Sequence, residues 1–195
     1  MTSYLRFRIR LHDINPPIWR EFLIAASAKF KDLHYAIQDS CGWRDYHLYA
    51  FRSLDGRRLI AGVPDDDLDP EVIDPDLLTI DEFFSKPRDG CVYRYDFGDD
   101  WRFEVEFEEL VEEKDVFHRR LIGGERASPI EDCGGVGAYE KCVALVRGEI
   151  ESSPTLEAVA DQLADWDPER FDLRKTKERF DLVERRVDRP DWLRI

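Results

Sequence analysis

Three observations predict an α+β fold: an antiparallel sheet of hairpins with one early helix packed on it and a helical C-terminal third. Near the N-terminus Leu5, Phe7, Ile9 and Leu11 alternate with Arg6, Arg8 and Arg10, the two-residue period of a half-buried strand. Tyr93 to Val105 reads as two alternating runs folded about a turn. From Ser153 onward the apolar residues recur at helical spacing. Strands gathered first and helices last mark the α+β class.

The first strand is basic on its outer face and stops at Asn15-Pro16-Pro17. Ile18 to Ile24 reads as a second strand that pairs with it. Ser27 is placed to cap a helix on which Phe30, Leu33, Ile37 and Cys41 share a face, with Gly42 at the stop position. Tyr46 to Phe51 is strand-like, Asp55-Gly56 is a tight turn, and Arg57 to Ile60 returns. Pro64 to Asp76 is acidic and broken by proline. It reads as a solvated surface loop, without the Gly and closing Glu of a calcium loop. Thr79 to Phe84 reads as a turn or two of helix. Gly123 to Lys141 is glycine-rich and polar, an ordered loop feeding a helix that carries Tyr139, Cys142, Val143 and Val146. Ser153 caps a further helix with Pro154 at its first position and Leu156, Val159, Ala160 and Leu163 on its buried face. Asp167-Pro168 and Asp172 open later helices, and Leu173, Thr176, Phe180, Val183 and Val187 form an apolar stripe.

Side chains specify a register for the central hairpin. With Gly98, Asp99 and Asp100 as its loop, Phe97 faces Trp101, Tyr95 faces Phe103, and Tyr93 faces Val105. On the other face Asp96 meets Arg102 and Arg94 meets Glu104. Every pair is aromatic-apolar or opposite in charge. A one-residue slip sets Asp96 against Trp101 and loses the matching.

At 195 residues, 43% apolar and 12% aromatic, the chain suits one packed domain over residues 1–195. A net charge of -14 repels phosphate backbones. Direct nucleic-acid binding is therefore disfavoured, and a protein or small ligand is the expected partner. The N-terminus lacks an apolar h-region and no run is long enough for a membrane span, so a cytoplasmic location is expected. Cys41, Cys91, Cys133 and Cys142 contain no C-x-x-C pair and read as reduced, mostly buried thiols.

Asp96-Phe97-Gly98 spells the tripeptide that holds magnesium in protein kinases. No G-x-G-x-x-G and no H-R-D accompany it, so the remaining kinase parts are missing. The glycine-rich run lacks G-K-[S/T], and its Glu131-Asp132 would repel a phosphate. No G-x-S-x-G offers a nucleophile, and carboxylates beside Cys133 blunt its thiol. A constellation remains. His34, His47, Asp96, Asp99, Asp100, Trp101, Glu131, Asp132 and Cys133 are the candidate lining of one pocket. His34, His47, Asp96 and Asp99 are its candidate metal ligands, of types that zinc or iron accepts. The competing reading has both histidines partly buried and satisfied by those carboxylates. Beyond such a divalent metal, no cofactor is expected.

Six motifs occur in order: INPPIWR (Ile14 to Arg20), DLHYAIQDSCGW (Asp32 to Trp43), HLYAF (His47 to Phe51), YDFGDDW (Tyr95 to Trp101), EDCGGVGAYE (Glu131 to Glu140) and WDPERFDL (Trp166 to Leu173). Over about residues 4–182 they resemble the plasmid pRiA4b ORF-3-like family. Its members are mobile-element passenger proteins, some labelled TnpR resolvase. The resemblance implies an α+β fold and a link to plasmids or mobile elements. Many members carry a His two residues beyond the Trp of YDFGDDW. Phe103 stands there in this chain, so a metal site using that His would be lost or altered.

Recombination chemistry finds no support in the residues. A serine recombinase needs a nucleophilic Ser amid arginines and a basic helix-turn-helix module. A tyrosine recombinase needs a Tyr served by paired arginines and a His. Here Arg174 to Arg179 is basic but is followed by Asp181 and Glu184. The expected function is a non-catalytic binding or interaction module. The alternative is a metal-dependent hydrolase or nuclease using the same histidines and carboxylates. A weaker alternative is an acidic DNA mimic, with carboxylates spaced like phosphates along one face.

Overall fold

The computed structural model describes residues 1–63, 73–157 and 159–181. Strands β1 (Thr2–Leu11) and β2 (Trp19–Ala25) form an antiparallel hairpin with Phe7 opposite Phe22. A cis Asn15-Pro16 bond lies in its turn. Helix α1 (Phe30–Cys41) follows. Its cap lies past Ser27: the Lys29 N–H donates to the Asp32 carboxylate at 2.8 Å, which satisfies a free backbone donor of the first turn. Gly42, at φ 85, ends the helix in the left-handed conformation that favours glycine.

Strands β3 (Tyr49–Ser53) and β4 (Leu59–Gly62) make a second hairpin around Asp55-Gly56. The short helix α2 (Ile80–Phe83) is capped by the Thr79 N–H donating to Glu82 at 2.8 Å. Strands β5 (Gly90–Tyr95) and β6 (Trp101–Glu113) make the third hairpin, and β7 (Arg119–Glu125) returns along β2. One seven-stranded sheet results, in the order β4-β3-β5-β6-β1-β2-β7. All its neighbours are antiparallel.

The chain is α+β, but the C-terminal third is not the helical layer that its periodicity suggests. Helices α3 (Gly135–Val146) and α6 (Leu173–Phe180) are joined by the four-residue segments α4 (Pro154–Glu157) and α5 (Ala160–Leu163). These short segments bury Leu156, Val159 and Leu163 while leaving Ala160 exposed. Val183, Val187 and most of the acidic run at 64–76 lie outside the described residues.

The two sheet faces differ in kind. On the inner face Phe7, Phe22, Phe51, Tyr93, Phe103 and Phe107 are buried, each contributing about 1.5–3 kcal/mol relative to exposure. Helix α1 lies on this face through Phe30, whose ring meets Phe51 edge-on at 5.0 Å and stacks on Phe84 at 5.9 Å. The outer face is a charge ladder. Arg6 pairs with Glu21 and Glu109, Arg8 with Glu21 and Glu108, and Arg10 with Glu104. Acidic neighbours on β2 and β6 thus neutralise the basic stripe of β1, so it offers no ready phosphate-binding surface.

Several arginines are buried, Arg20 the most deeply among the described residues. Arg20 is 2% exposed. It donates to Ser40 O at 3.1 Å, Trp19 O at 2.7 Å, Glu125 O at 2.8 Å, Arg126 O at 2.9 Å and Ser128 Oγ at 2.8 Å. Its guanidinium lies over the Phe171 ring at 4.1 Å. Burial pulls its pKa down to about 10, which leaves it charged at neutral pH. On the same side, Arg119 pairs with Asp39 and donates to Phe180 O at 2.7 Å, which fastens α6 over α1.

Arg20→Met strands the acceptors of α1 and of the segment after β7 at once. Buried acceptors without donors cost about 1–3 kcal/mol each, so urea denaturation should show a loss of about 3 kcal/mol or more. Arg20→Lys, with fewer donors and no fork, should recover less than half of it. The ladder predicts acid sensitivity. Burial alone would raise the Glu21 pKa, but hydrogen bonds from Arg8 and Arg6 outweigh it and bring it below its ordinary 4.5. A depressed folded pKa means that the unfolded chain takes up the proton first. The stabilisation is therefore present above about pH 4.5 and is lost as pH falls through the folded value. Melting curves between about pH 5 and 3 should show a shallower decline for Glu21→Gln than for the parent chain, and equal slopes would discount Glu21.

Candidate functional site

Three loops meet at one end of the sheet, and backbone N–H groups donating to carboxylates hold them there. The first is the corner between β5 and β6. Tyr95 faces Trp101, Tyr93 faces Phe103, and Arg94 faces Arg102. The pairing expected from the sequence is therefore shifted by two residues, which preserves the faces and changes the partners. The cause lies in the loop. Asp96 and Asp100 both take positive φ, 54 and 55. The Asp96 N–H leaves the hairpin and donates to Leu48 O at 3.0 Å. Asp96 Oδ1 accepts from the N–H groups of Gly98 and Asp99, at 3.0 and 3.3 Å, a local turn that lengthens the loop to Asp96–Asp100. The opposed arginines are reconciled by Asp100, which accepts from Arg94 Nε at 2.5 Å and from Arg102 Nη2 at 2.6 Å.

The second loop joins β7 to α3. Asp99 Oδ2 accepts from the Gly134 N–H at 2.9 Å. Gly135 follows at φ 77, and a Cβ there would stand 2.6 Å from Asp99 O. Only glycine permits both the conformation and the approach. The third loop joins α1 to β3. Glu131 accepts from the Arg44 N–H at 2.7 Å and from Tyr95 OH at 2.5 Å. Tyr95 OH in turn accepts from the Tyr46 N–H at 3.0 Å, and burial followed by the Glu131 contact raises its pKa. Trp43 donates to Pro129 O at 2.9 Å and stacks on Tyr95 at 5.2 Å. These ties explain why β3 begins at Tyr49 and not at Tyr46: the intervening backbone is committed to the corner.

The arrangement delivers His47 between two carboxylates. Its Nε2 stands 2.6 Å from Asp132 Oδ1 and 3.5 Å from Asp96 Oδ2. One ligand atom from each of the three residues lies within 4.8 Å of the others. Tyr95 holds the imidazole edge-on at 5.7 Å. Asp96 is 8% exposed, whereas Tyr46 and Leu48 on either side of His47 are exposed.

Other members of the predicted constellation lie elsewhere or are committed. His34 is a core histidine, fully buried, and does not join His47. Gln38 Nε2 donates to Tyr93 OH at 3.0 Å, Tyr93 OH meets His34 Nδ1 at 2.7 Å, and His34 Nε2 meets Asp45 Oδ1 at 2.8 Å. These roles are consistent for a neutral ring carrying its proton on Nε2. Asp99 serves Gly134 and is not among the clustered ligand atoms. Trp101 is buried beside Trp43. Cys133 is buried too, and burial first of all pushes its thiol up to about 12. Phe103 is 1% exposed and meets Trp43 edge-on at 5.7 Å, so its position faces the core. Sequence reasoning missed Tyr95, Gly135 and the exposed pair Tyr46 and Leu48. The only signal for Gly135 was the Gly-Gly pair beside a helix start.

The family model for plasmid pRiA4b ORF-3-like protein matches residues 3–175. Uncharacterized protein y4hQ of Sinorhizobium fredii (strain NBRC 101917 / NGR234) is 27% identical over 150 residues, 74% of each chain. The crystal structure of MM3350, a protein of unknown function from Methanosarcina mazei Go1, is similar at a TM-score of 0.74 and 29% identity, covering 89% of this chain and 96% of that one.

Two glycines of the CGGVG run should respond in opposite directions to alanine. Gly135→Ala brings backbone strain of about 1–3 kcal/mol as well as the clash with Asp99, and should lower the melting temperature by several degrees. Gly137 lies in α3 with no atom within 4 Å of its added Cβ. Its replacement by alanine should stabilise by about 0.5–1 kcal/mol through helix propensity. Thermal denaturation of the two variants checks both.

Proposed function

The chain belongs to the plasmid pRiA4b ORF-3-like family, and from that premise we propose that it is a cytoplasmic, mobile-element-linked binding module that works without catalysis through its three-loop corner. The observation that carries this reading is the pair of exposed apolar side chains, Tyr46 and Leu48, flanking His47 beside the exposed Asp132. An apolar spot rimmed by carboxylate suits a protein segment that pairs an apolar side chain with a cation. The nearby groups that could attack a substrate are occupied or sealed. Tyr95 OH donates to Glu131, Cys133 is buried with a raised pKa, and the His34–Asp45 pair has no solvent contact through its ring.

Charge supports a protein partner over nucleic acid. The net charge is -14, and the β1 arginines are paired within the sheet. The same pairing removes Glu21, Glu104 and Glu108 from any run of free carboxylates, which gives the acidic DNA-mimic reading little support. A second reading, a metal-dependent hydrolase or nuclease, draws on the His47, Asp96 and Asp132 cluster. It requires metal-stimulated cleavage of a phosphodiester or ester that His47→Ala abolishes.

Peptides selected by display against the intact chain provide the test. Selected sequences should combine Lys or Arg with an apolar or aromatic residue. They should bind the Tyr46→Ala/Leu48→Ser variant at least about ten-fold more weakly by isothermal titration, about 1.4 kcal/mol. Undiminished binding by the variant would overturn the assignment of the corner as the binding face.

A further inference from the structure

We infer that His47, Asp96 and Asp132 form a binding site for one divalent transition metal of the zinc class. The donor set is one imidazole nitrogen and two carboxylate oxygens, with ligand atoms within 4.8 Å of one another. The hard cations magnesium and calcium favour all-oxygen sites, so the imidazole selects for zinc and its neighbours. Each ligand comes from a different loop, which makes the site a product of the fold with no short spacing in the sequence.

Asp96 is the most shielded of the three ligands. The residue is 8% exposed. Its Oδ1 is engaged by the Gly98 and Asp99 N–H groups. Its Oδ2 receives no hydrogen bond among the described residues and points at His47 Nε2 from 3.5 Å, beyond ordinary hydrogen-bond range. A divalent ion between the two atoms gives that oxygen a partner in a partly shielded place, where the attraction is less screened than in bulk water.

The dimensions agree. Zinc holds N and O ligands at about 2.0–2.2 Å, so two ligands of a tetrahedral site stand roughly 3.3–3.5 Å apart. The His47–Asp96 separation of 3.5 Å already matches. Asp132, at 2.6 Å from His47 with a side chain 58% exposed, needs to swing outward by under about 1 Å to match that spacing. The ligands are also oriented from behind. Asp96 is fixed by its own turn, and the His47 ring rests on Tyr95, which Glu131 holds. Three protein ligands with an exposed flank leave a coordination position for water or a small anion.

The test uses the full chain, stripped with chelator and titrated with zinc chloride. Calorimetry should give one ion per chain. At about a hundred-fold excess over Kd the melting temperature should rise by about 5–10 °C. His47→Ala and Asp132→Asn should each weaken zinc by about ten-fold or more, whereas His118→Ala, altering an exposed histidine, should not. Asp132→Asn provides the readout if His47→Ala fails to fold. The absence of a zinc response, an equal response in both ligand variants, or an equal response to magnesium chloride would each overturn the site. This inference stands apart from the peptide-binding reading: Tyr46→Ala/Leu48→Ser should lose peptide and keep zinc.

Discussion

The placement of the corner depends on one buried guanidinium. Arg20 enters from β2 and binds the carbonyl of Ser40 near the end of α1, the carbonyls of Glu125 and Arg126 where β7 ends, and the Ser128 hydroxyl beyond. Two of the three corner loops leave from those points. A guanidinium suits this task because its five donors lie in a fixed planar fork. Its acceptors are carbonyl and hydroxyl oxygens, all neutral, so the cation is stabilised by oriented dipoles. Space had to be made for it as well. A Cβ on Gly124 would meet Arg20 Cδ at 2.7 Å and Phe171 at 2.8 Å, so the neighbouring strand carries no side chain there.

From these anchors the corner is assembled by carboxylates accepting backbone N–H bonds. Asp96 does this within its own loop, and Asp99 and Glu131 do it between loops. Asp45, Asp96, Asp100 and Asp132 also take positive φ, a conformation that Asp tolerates better than most residues. Much of the acidity here is therefore structural. Asp100 neutralises two opposed arginines, Asp99 ties two loops, and Glu131 ties a third. Two carboxylate oxygens, Asp96 Oδ2 and Asp132 Oδ1, face His47.

The sequence discloses the sheet better than it discloses the corner, for a physical reason. Alternation along β1 and β6 is enforced by one buried face, so Phe7, Ile9, Phe103 and Val105 announce it locally. The hairpin register is weaker information. A two-residue shift keeps every side chain on its face, so pairing rules cannot choose between a tight loop and the longer one that Asp96 builds. The helical periodicity after Ser153 marks buried positions correctly at Leu156, Val159 and Leu163, yet periodicity does not reveal that the helical segments there are four residues long. At the site, His47, Asp96 and Asp132 could be nominated by residue type, and His34 could not be separated from them. Its exclusion depends on Tyr93 and Asp45 closing around the ring, contacts that exist only after folding.

The two proposals for the corner meet at Asp132. A partner's Lys or Arg placed between Tyr46 and Leu48 would find its counter-charge there, and so would a metal ion held by His47 and Asp96. A carboxylate that coordinates zinc gives up most of its attraction for a second cation. Metal at the corner therefore weakens the electrostatic part of binding to a basic segment while leaving the apolar contacts of Tyr46 and Leu48 in place. Coordination also fixes the three loops relative to one another, which lessens the ordering cost of any partner that touches more than one of them. These effects oppose each other, and the balance depends on the partner's charge. A neutral or anionic segment gains from the metal-loaded corner, because the open coordination position becomes an attractive contact. A cationic segment gains from the metal-free one.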